Sequence, residues 1–249
     1  MSTRGAFGFI KNKEYKVHYN HFDSYLEGKG ENVVDYVRNT SIEDMNKAFD
    51  SIVLVNQTDL PKPKEEKEIL EFLISHELIN PHDPEHFGSG QKDWYYYLSP
   101  TQGNLKLYNE GLKYMTNDKD FLNDGLFCEF AYLVDLDENK LRIMANDKEC
   151  IYDFDKIPDD WIDRTYLKLE NKCKDKFMNL LFDKQEKDQL SVLEDLKLTD
   201  YLDKNIKLKP YDYYSQEDAY NSILDNIDEL ELEERIDNYI NKENEIEAI

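Results

Sequence analysis

The first 25 or so residues hold the densest group of chemically capable side chains in the chain. They combine hydroxyls, a guanidinium, imidazoles, an amide and a carboxylate, on Ser2, Thr3, Arg4, His18, Asn20, His21, Asp23 and Ser24. A hydroxyl nucleophile, a proton acceptor, an orienting carboxylate and a donor to an oxyanion are the groups that acyl transfer requires. Their joint action depends on the elements that position them.

A β-hairpin is the element expected to bring these side chains together. Residues 3–10 and 15–22 are rich in aromatic and β-branched residues and flank a polar break at residues 11–14. Antiparallel pairing of the two strands returns segment 18–24 to the side of residues 2–6. We therefore predict a concentrated polar site at the open end of this hairpin.

A short sequence pattern runs through the same hairpin. Its residues are Thr3-Arg4-Gly5, Gly8-Phe9, Lys16 and the run YNHFDSY at 19–25. This pattern resembles the opening of a family of uncharacterised proteins from bacteriophages, prophages and scattered bacteria. Leu26 and Lys29 stand where that family pattern has Pro and Leu, so the loop after the motif differs. The resemblance covers about 30 residues and implies a phage or prophage origin, but no particular activity.

The layout is also similar to that of N-terminal-nucleophile hydrolases, which begin with Cys, Ser or Thr on a first strand. Removal of Met1, which a small second residue permits, makes Ser2 the terminal residue. The similarity implies that Ser2 is the nucleophile and that its own α-amine, with a pKa of roughly 7.7–8, is the base. Asp23 would orient the amine, and Asn20 or a backbone N–H would hold the oxyanion. Arg4 would bind a carboxylate through two hydrogen bonds.

A structural interpretation of the same residues stays open beside the catalytic one. Side chains such as those of NHFDS often hydrogen-bond the backbone of loops, and Arg4 can form an ion pair with Asp23. If the chain instead acts by binding a protein, we assign the contact residues of this segment to Arg4, His21, Asp23 and Tyr25.

Two other polar motifs have some features of metal sites. His82 and His86 stand four residues apart in INPHDPEHFG, but Pro84 between them opposes the regular helix that would align them. We interpret this segment as a polar loop.

The run Asp135-x-Asp137-x-Asn139 matches the start of a calcium loop. Lys140 and Asn146 stand where such a loop has its Gly and its Glu, so we predict a hairpin turn instead. Motifs of the GxGxxG, P-loop, HExxH and GxSxG types do not occur in the sequence, and we assign no metal and no cofactor.

Charge limits the partners of this chain. Its 54 acidic and 31 basic residues give a net charge of −23, which repels phosphate backbones and anionic lipid. Direct binding of nucleic acid or membrane is therefore not expected. The surface is suited either to solubility alone or to docking on a basic protein, including mimicry of nucleic acid. The 18 tyrosines are well suited to an interface.

Cysteine use and hydropathy indicate the compartment. The three cysteines Cys128, Cys150 and Cys173 have no close spacing, so neither a disulfide framework nor a CxxC site is expected. The sequence has no apolar run of the length of a membrane span and no signal-peptide hydrophobic stretch at its start. We expect a cytoplasmic protein of a bacterium or a phage-infected cell.

The sequence pattern predicts an α+β fold, with antiparallel hairpins, packed helices and an acidic helical C-terminal region. Strands are expected at 93–100 and 105–108, and a hairpin is expected across 127–144 with a central strand at 130–134. Residues 31–39 predict a short helix.

Further helices are expected after Thr40, in a capping box with Glu43, and from about residue 159 onward. Residues 200–249 hold 15 acidic and five basic residues. The expected domains are a core at 1–158 and an acidic helical region at 159–249.

The favoured functional hypothesis is a non-enzymatic protein-binding module of phage or prophage type, acting on a host or bacterial-defence component. Its basis is the family resemblance, the negative charge and the tyrosine content. The alternative is an N-terminal-nucleophile amidohydrolase that uses Ser2.

Overall fold

The computed structural model describes residues 3–80, 91–145, 148–170, 172–182, 184–209 and 212–247. The chain forms two compact units, Met1–Ile162 and Asp163–Ile249, which we call the sheet unit and the helical unit. The strands are β1 (Gly5–Lys11), β2 (Glu14–Asn20), β3 (Val53–Val55), β4 (Tyr114–Thr116), β5 (Phe130–Asp135), β6 (Lys140–Ala145) and β7 (Lys148–Asp153). The first five helices are α1 (Glu31–Asn39), α2 (Ile42–Ser51), α3 (Pro63–Ser75), α4 (Trp94–Leu98) and α5 (Lys106–Asn109).

The predicted opening hairpin is confirmed. β1 and β2 pair antiparallel with Gly5 opposite Asn20, and Asn12 and Lys13 both take positive φ values in the two-residue turn between them. The carboxylate of Asp137 accepts hydrogen bonds from the N–H groups of Asn12 (2.8 Å) and Lys13 (3.2 Å). The run at 135–139 that matches the start of a calcium loop thus forms a hairpin turn, as predicted, and its Asp137 also anchors the first hairpin.

A five-stranded sheet organises the sheet unit, in the order β2-β1-β5-β6-β7. β1 and β5 run parallel, whereas the other neighbouring strands run antiparallel. The predicted hairpin at 127–144 is β5 and β6, and β5 lies between β1 and β6 as expected for a central strand. β3 and β4 form a separate parallel pair.

One face of the sheet carries large aromatic side chains that form the main core. Phe9 meets Tyr36 of α1 and Tyr108 of α5 edge to face, while Phe7 stacks on Tyr132 at 5.0 Å between ring centroids. All of these rings are buried. Burial of several aromatic rings at one layer supplies much of the free energy that holds helices to the sheet.

Lys16 joins α2 to this face through its charge. The residue is only 8% exposed, and its ammonium donates to the carbonyls of Phe49 (2.9 Å) and Ile52 (2.8 Å) at the C-terminal end of α2. The ammonium also lies 4.4 Å from the centroid of the Phe49 ring. A cation at this helix end satisfies carbonyls that have no partner within the helix.

Two expected strands are helices, which corrects the prediction for 93–100 and 105–108. In α4, Asp93 accepts a hydrogen bond from the N–H of Tyr96 (2.9 Å), and the buried residues Trp94, Tyr97 and Leu98 follow helical spacing. Residues 105–108 enter α5. The aromatic run predicted strands because tyrosine and tryptophan favour them. In the folded chain the buried residues Trp94, Tyr97 and Leu98 are three and four positions apart, which is the spacing of a helix.

Two smaller differences concern element ends. Ser41, not Thr40, caps α2, because its hydroxyl accepts from the N–H of Asp44 (3.1 Å). The edge strand β7 was not predicted from the sequence. The prediction of a helix at Glu31–Asn39 is confirmed.

The helical unit contains α6 from Asp163 onward, α7 (Lys172–Leu181), α8 (Glu186–Asp195), α9 (Tyr213–Leu224) and α10 (Glu229–Glu247). α6 spans Trp161–Glu170, so its first two residues belong to the sheet unit. A core that includes Phe177, Leu193 and Ile223 holds these helices together, and Lys176 pairs with Glu233 and Asp237 at 2.8 Å. The described helices include none with the length and hydropathy of a membrane span.

The predicted α+β class is confirmed, since the chain combines a largely antiparallel sheet with packed helices.

His18 on β2 is buried among aromatic rings in the sheet unit. It is 3% exposed, and its ring centroid lies 6.2 Å from those of Phe7 and Tyr108. Its Nε2 has no hydrogen-bond partner among the described residues. Burial, with a smaller contribution from the charge of Lys29, lowers the pKa of His18 from 6.5 to about 3.

We expect this histidine to make the sheet unit acid-sensitive. The unfolded chain binds a proton near pH 6.5 and the folded chain does not until about pH 3, so stability falls as the pH drops through this window. Between pH 7 and pH 4, the wild type should lose roughly 3 kcal/mol more than His18→Phe.

Urea unfolding followed by tryptophan fluorescence measures this difference, since Trp94 and Trp161 both belong to the sheet unit. His76→Phe, at a histidine stacked on Phe72, serves as the control. An equal loss of stability in wild type and His18→Phe contradicts the prediction.

Candidate functional site

The predicted polar site lies where β1 begins and β2 ends. The register places Gly5 opposite Asn20, so the turn at 21–25 passes directly beside the first strand. The N–H of Ser24 donates to the carbonyl of Thr3 (3.1 Å), which closes the turn onto the start of the chain. The return of this segment to the first residues is therefore as expected.

Buried hydrogen bonds hold this turn in one conformation. The Asn20 side-chain amide, on a residue 3% exposed, donates to the hydroxyl of Ser24 (2.7 Å) and to the carbonyl of Phe22. The hydroxyl of Tyr132 donates to the carbonyl of Ser24 (2.8 Å). The carbonyl of Asp23, whose φ is 58°, accepts from the backbone N–H of Lys29 (2.7 Å). These hydrogen bonds fix the Asn20 amide, the Ser24 hydroxyl and three backbone carbonyls of the turn, which favours a rigid turn.

Gly5 is required for this close approach. A Cβ on residue 5 would lie 2.6 Å from the carbonyl oxygen of Phe130 and 2.7 Å from the Ser24 side chain. Both neighbours are fixed in place by the sheet and by the turn, so a larger residue would push the turn away from β1.

Strand alternation separates two of the predicted site residues. Tyr19 pairs with Ala6 on one face of the sheet, and Asn20 pairs with Gly5 on the other. Arg4 precedes Gly5 and acts on the Tyr19 side, where its positive charge opposes the rise that burial causes in the pKa of Tyr19. Arg4 and Asn20 therefore do not share a cleft, and the expected convergence is not observed for this pair.

The structure also bears on the other residues that the hydrolase and metal-site patterns singled out. Ser2 lies outside the described residues, as do His82 and His86. Both donor positions of the Asn20 amide are used within the turn, and no ion pair joins Arg4 to Asp23 in the described chain. The hydrolase hypothesis stays a prediction, which an intact mass showing retention of Met1 would contradict.

On the Tyr19 side, aromatic and cationic groups form a continuous surface. We call Arg4, Tyr19, His21, Phe22 and Phe127 the aromatic surface. The Arg4 guanidinium lies 5.1 Å from the Phe127 ring centroid, and the Tyr19 hydroxyl shares a 2.6 Å hydrogen bond with Nδ1 of His21. The rings of His21 and Phe22 meet edge to face at 4.3 Å. Phe22 is 58% exposed and Phe127 46% exposed, so this surface presents large aromatic groups to solvent.

The backbone beneath the aromatic surface is tied to neighbouring loops. The N–H of His21 donates to the side chain of Gln102 (3.1 Å), and the N–H of Arg4 donates to the carboxylate of Glu129 (2.9 Å). Nε of Arg4 is buried and has no hydrogen-bond partner among the described residues. Of the predicted binding residues, Arg4 and His21 lie within this surface, while Asp23 and Tyr25 are exposed in the adjoining turn.

Sequence reasoning missed Phe22 and Phe127 as members of this surface. Phe22 was inside the quoted motif, but a phenylalanine there is equally consistent with core. Phe127 follows the 77% exposed Leu126, and the only sequence signal was a pair of large apolar residues ahead of a strand. Their exposure depends on tertiary packing, which places residues 124–128 on the surface.

The same sheet face continues into two open grooves. Its floor is formed by Ala131 and Leu133 of β5 and Met144 of β6, and residues 119–128 form a wall. The grooves have volumes of about 570 and 430 Å³. One half of this face is thus covered by Phe121 and Leu122, and the other half is open.

Thiol and metal chemistry find little support in the described residues. Burial raises the pKa of Cys128 to about 11 and that of Cys173 to about 12, so both stay protonated and weakly nucleophilic at neutral pH. The three cysteines are free. No group of three or more His, Cys, Asp or Glu side chains suited to a metal ion occurs within the ranges described.

Comparisons of this chain with protein-family models, with curated proteins and with solved structures give no match. The functional argument therefore rests on the geometry of the site.

We expect Asn20→Ala to destabilise the sheet unit by about 1–3 kcal/mol, because the substitution leaves a buried hydroxyl and a carbonyl without their donor. Urea unfolding followed by tryptophan fluorescence gives the value. Asn46→Ala on α2 is the matched control, since that amide donates to the carbonyl of Ile42 on an exposed helix surface. A loss no larger than that of the control contradicts the structural role of Asn20.

Proposed function

We propose that this chain is a protein-binding module that contacts its partner through the aromatic surface. The observation that carries the proposal is the continuous arrangement of Phe127, Arg4, Tyr19, His21 and Phe22 on a backbone held by buried hydrogen bonds. Aromatic residues and arginine are enriched at the energetic centres of protein interfaces. A rigid backbone also lowers the conformational entropy lost on binding.

The surroundings of the aromatic surface suit an interface rim. Asp23 and Glu27 follow Phe22 in the chain, and Glu129 accepts a hydrogen bond from the N–H of Arg4. All three acidic residues are exposed, and the chain as a whole carries a charge of −23. Exposed carboxylates around an aromatic centre favour a partner with a basic surface and speed association at low salt.

The resemblance of residues 3–25 to a phage and prophage family supports a partner inside the bacterial cell. We propose a host or bacterial-defence protein as the target, with the acidic chain blocking a surface of that protein. This part of the proposal rests on the sequence pattern and on charge.

Affinity capture tests the proposal. The wild-type chain should retain a defined partner from bacterial lysate at low salt and release part of it at high salt, because rim charges are screened. Phe22→Ala and Phe127→Ala should each weaken binding of the captured partner roughly tenfold or more, measured by interferometry with the purified partner.

Tyr214→Ala is the matched control, since Tyr214 is an exposed tyrosine (77%) of the helical unit. Equal affinity of wild type, Phe22→Ala and Phe127→Ala contradicts the role of the aromatic surface. Failure to retain any partner at either ionic strength contradicts the function itself.

A further inference from the structure

The two edge strands of the five-stranded sheet differ in how their outer backbone groups are used. At the β2 edge, the N–H of Asp118 donates to the carbonyl of Val17 (2.9 Å), and its carboxylate accepts from the N–H of Tyr19 (2.8 Å). At the β7 edge, β6 is the only strand of the described chain that pairs with Lys148–Asp153. A strand paired on one side directs alternate N–H and C=O groups outward, so β7 offers a template for another strand.

The side chains of β7 strengthen this contrast. Glu149, Ile151 and Asp153 lie on the face that carries the grooves, because Glu149 pairs with Met144 of that face. Ile151 is 39% exposed at the middle of the strand. Edge strands of proteins that act alone usually carry a charge or proline at such a position, which prevents pairing with other chains. An exposed β-branched residue there favours pairing instead.

We propose that β7 binds an extended segment of a partner protein by strand addition, and that this segment carries basic residues at alternate positions on both sides of an apolar residue. The inference rests on the proposed protein-binding function, and it adds a second contact surface and the chemistry of the segment bound there. Main-chain hydrogen bonds supply affinity in this binding mode, and alternate side chains supply specificity.

The order of charges along β7 selects the segment. Side chains directly opposite each other on adjacent strands lie about 5 Å apart, so Glu149 and Asp153 each face one residue of an added strand and Ile151 faces the residue between. Lysine or arginine opposite the two carboxylates and valine or isoleucine opposite Ile151 give three favourable cross-strand pairs. Acidic residues in the same places give two repulsive pairs.

Existing ion pairs leave these carboxylates attractive to a cation. Glu149 accepts from Arg142 at 3.2 Å, but the same guanidinium also bonds Asp135 (2.8 Å) and Glu138 (3.1 Å). Glu138 also pairs with Lys140 at 3.1 Å, so two cations serve three carboxylates and the group keeps one net negative charge. Asp153 pairs with Lys156 at 3.1 Å at an exposed position, where such a pair is weak and easily exchanged.

The open half of the sheet face accommodates the long side chains of such a segment. Glu149 lines the smaller groove together with Arg142 and Met144, and Lys148 lines the larger one. A basic side chain that projects from an added strand over this face reaches Glu149, which lies one strand away and opposite Met144.

Titration with short capped peptides tests the proposal on the full chain. The probe is Ser-Lys-Thr-Val-Thr-Lys-Ser, compared with Ser-Glu-Thr-Val-Thr-Glu-Ser and with Ser-Lys-Pro-Val-Pro-Lys-Ser, which keeps the charge but cannot pair as a strand. We expect the lysine probe to bind at least about tenfold more tightly than either comparison peptide. Amide hydrogen exchange should slow in β7 on saturation and stay unchanged in β2, whose edge is already occupied.

Ile151→Lys places a positive charge at the centre of the edge and should weaken binding of the lysine probe at least about tenfold. Ile74→Lys on α3 is the matched control, since Ile74 is exposed to a similar extent (42%). Tryptophan fluorescence and urea unfolding establish that both variants fold.

Several results overturn the proposal. They are equal affinity for the lysine and glutamate peptides, equal affinity for the proline peptide, no protection of β7 amides, or no effect of Ile151→Lys. Partner capture through the aromatic surface involves none of these peptides. Loss of peptide binding with intact, Phe22-dependent capture therefore removes strand addition and leaves the proposed function standing.

Discussion

The parallel pairing of β1 with β5 is the constraint on which the sheet unit depends. It sets Gly5 beside Phe130 and Phe7 beside Tyr132, residues separated by more than a hundred positions in the chain. Through this pairing the Tyr132 hydroxyl reaches the carbonyl of Ser24, and the loop that carries Phe127 lies next to Arg4. A parallel pair needs a long crossover, and here α1 to α5 lie within that crossover and supply residues that cover one face.

The buried network around Asn20 engages the groups that the first motif could offer to a substrate. The amide that an oxyanion hole would need is committed to Ser24 and Phe22, and the guanidinium of Arg4 lies on the opposite face. Polar groups that satisfy one another inside a turn fix its shape at the cost of their availability to a substrate. The outcome is a rigid loop that holds Phe22 in solvent.

Charge and sheet geometry complement each other in the proposed binding function. A net charge of −23 gives long-range attraction to basic surfaces but little selectivity among them. Selectivity requires short-range features, and the sheet unit has two: the aromatic surface at one end of the sheet and the β7 edge beside the open grooves. Asp118 already bonds the outer backbone groups of the β2 edge, whereas the β7 edge pairs with no further strand of the described chain. Strand addition is therefore restricted to the β7 side of the sheet.

The α+β class, the opening hairpin, the hairpin at residues 127–144 and the acidic helices could all be predicted from the sequence, because hydrophobic period and turn residues act locally. The sequence also located the polar motif at 19–25. Tertiary structure alone decided that 93–100 and 105–108 are helical, that β7 is an edge, and that Phe127 joins Phe22 on one surface. These outcomes depend on which distant residues pack together, above all on the register of β1 with β5. Non-local contacts leave no periodic signal in a single chain, so the same tyrosines and phenylalanines are compatible with core, strand or interface until the fold places them.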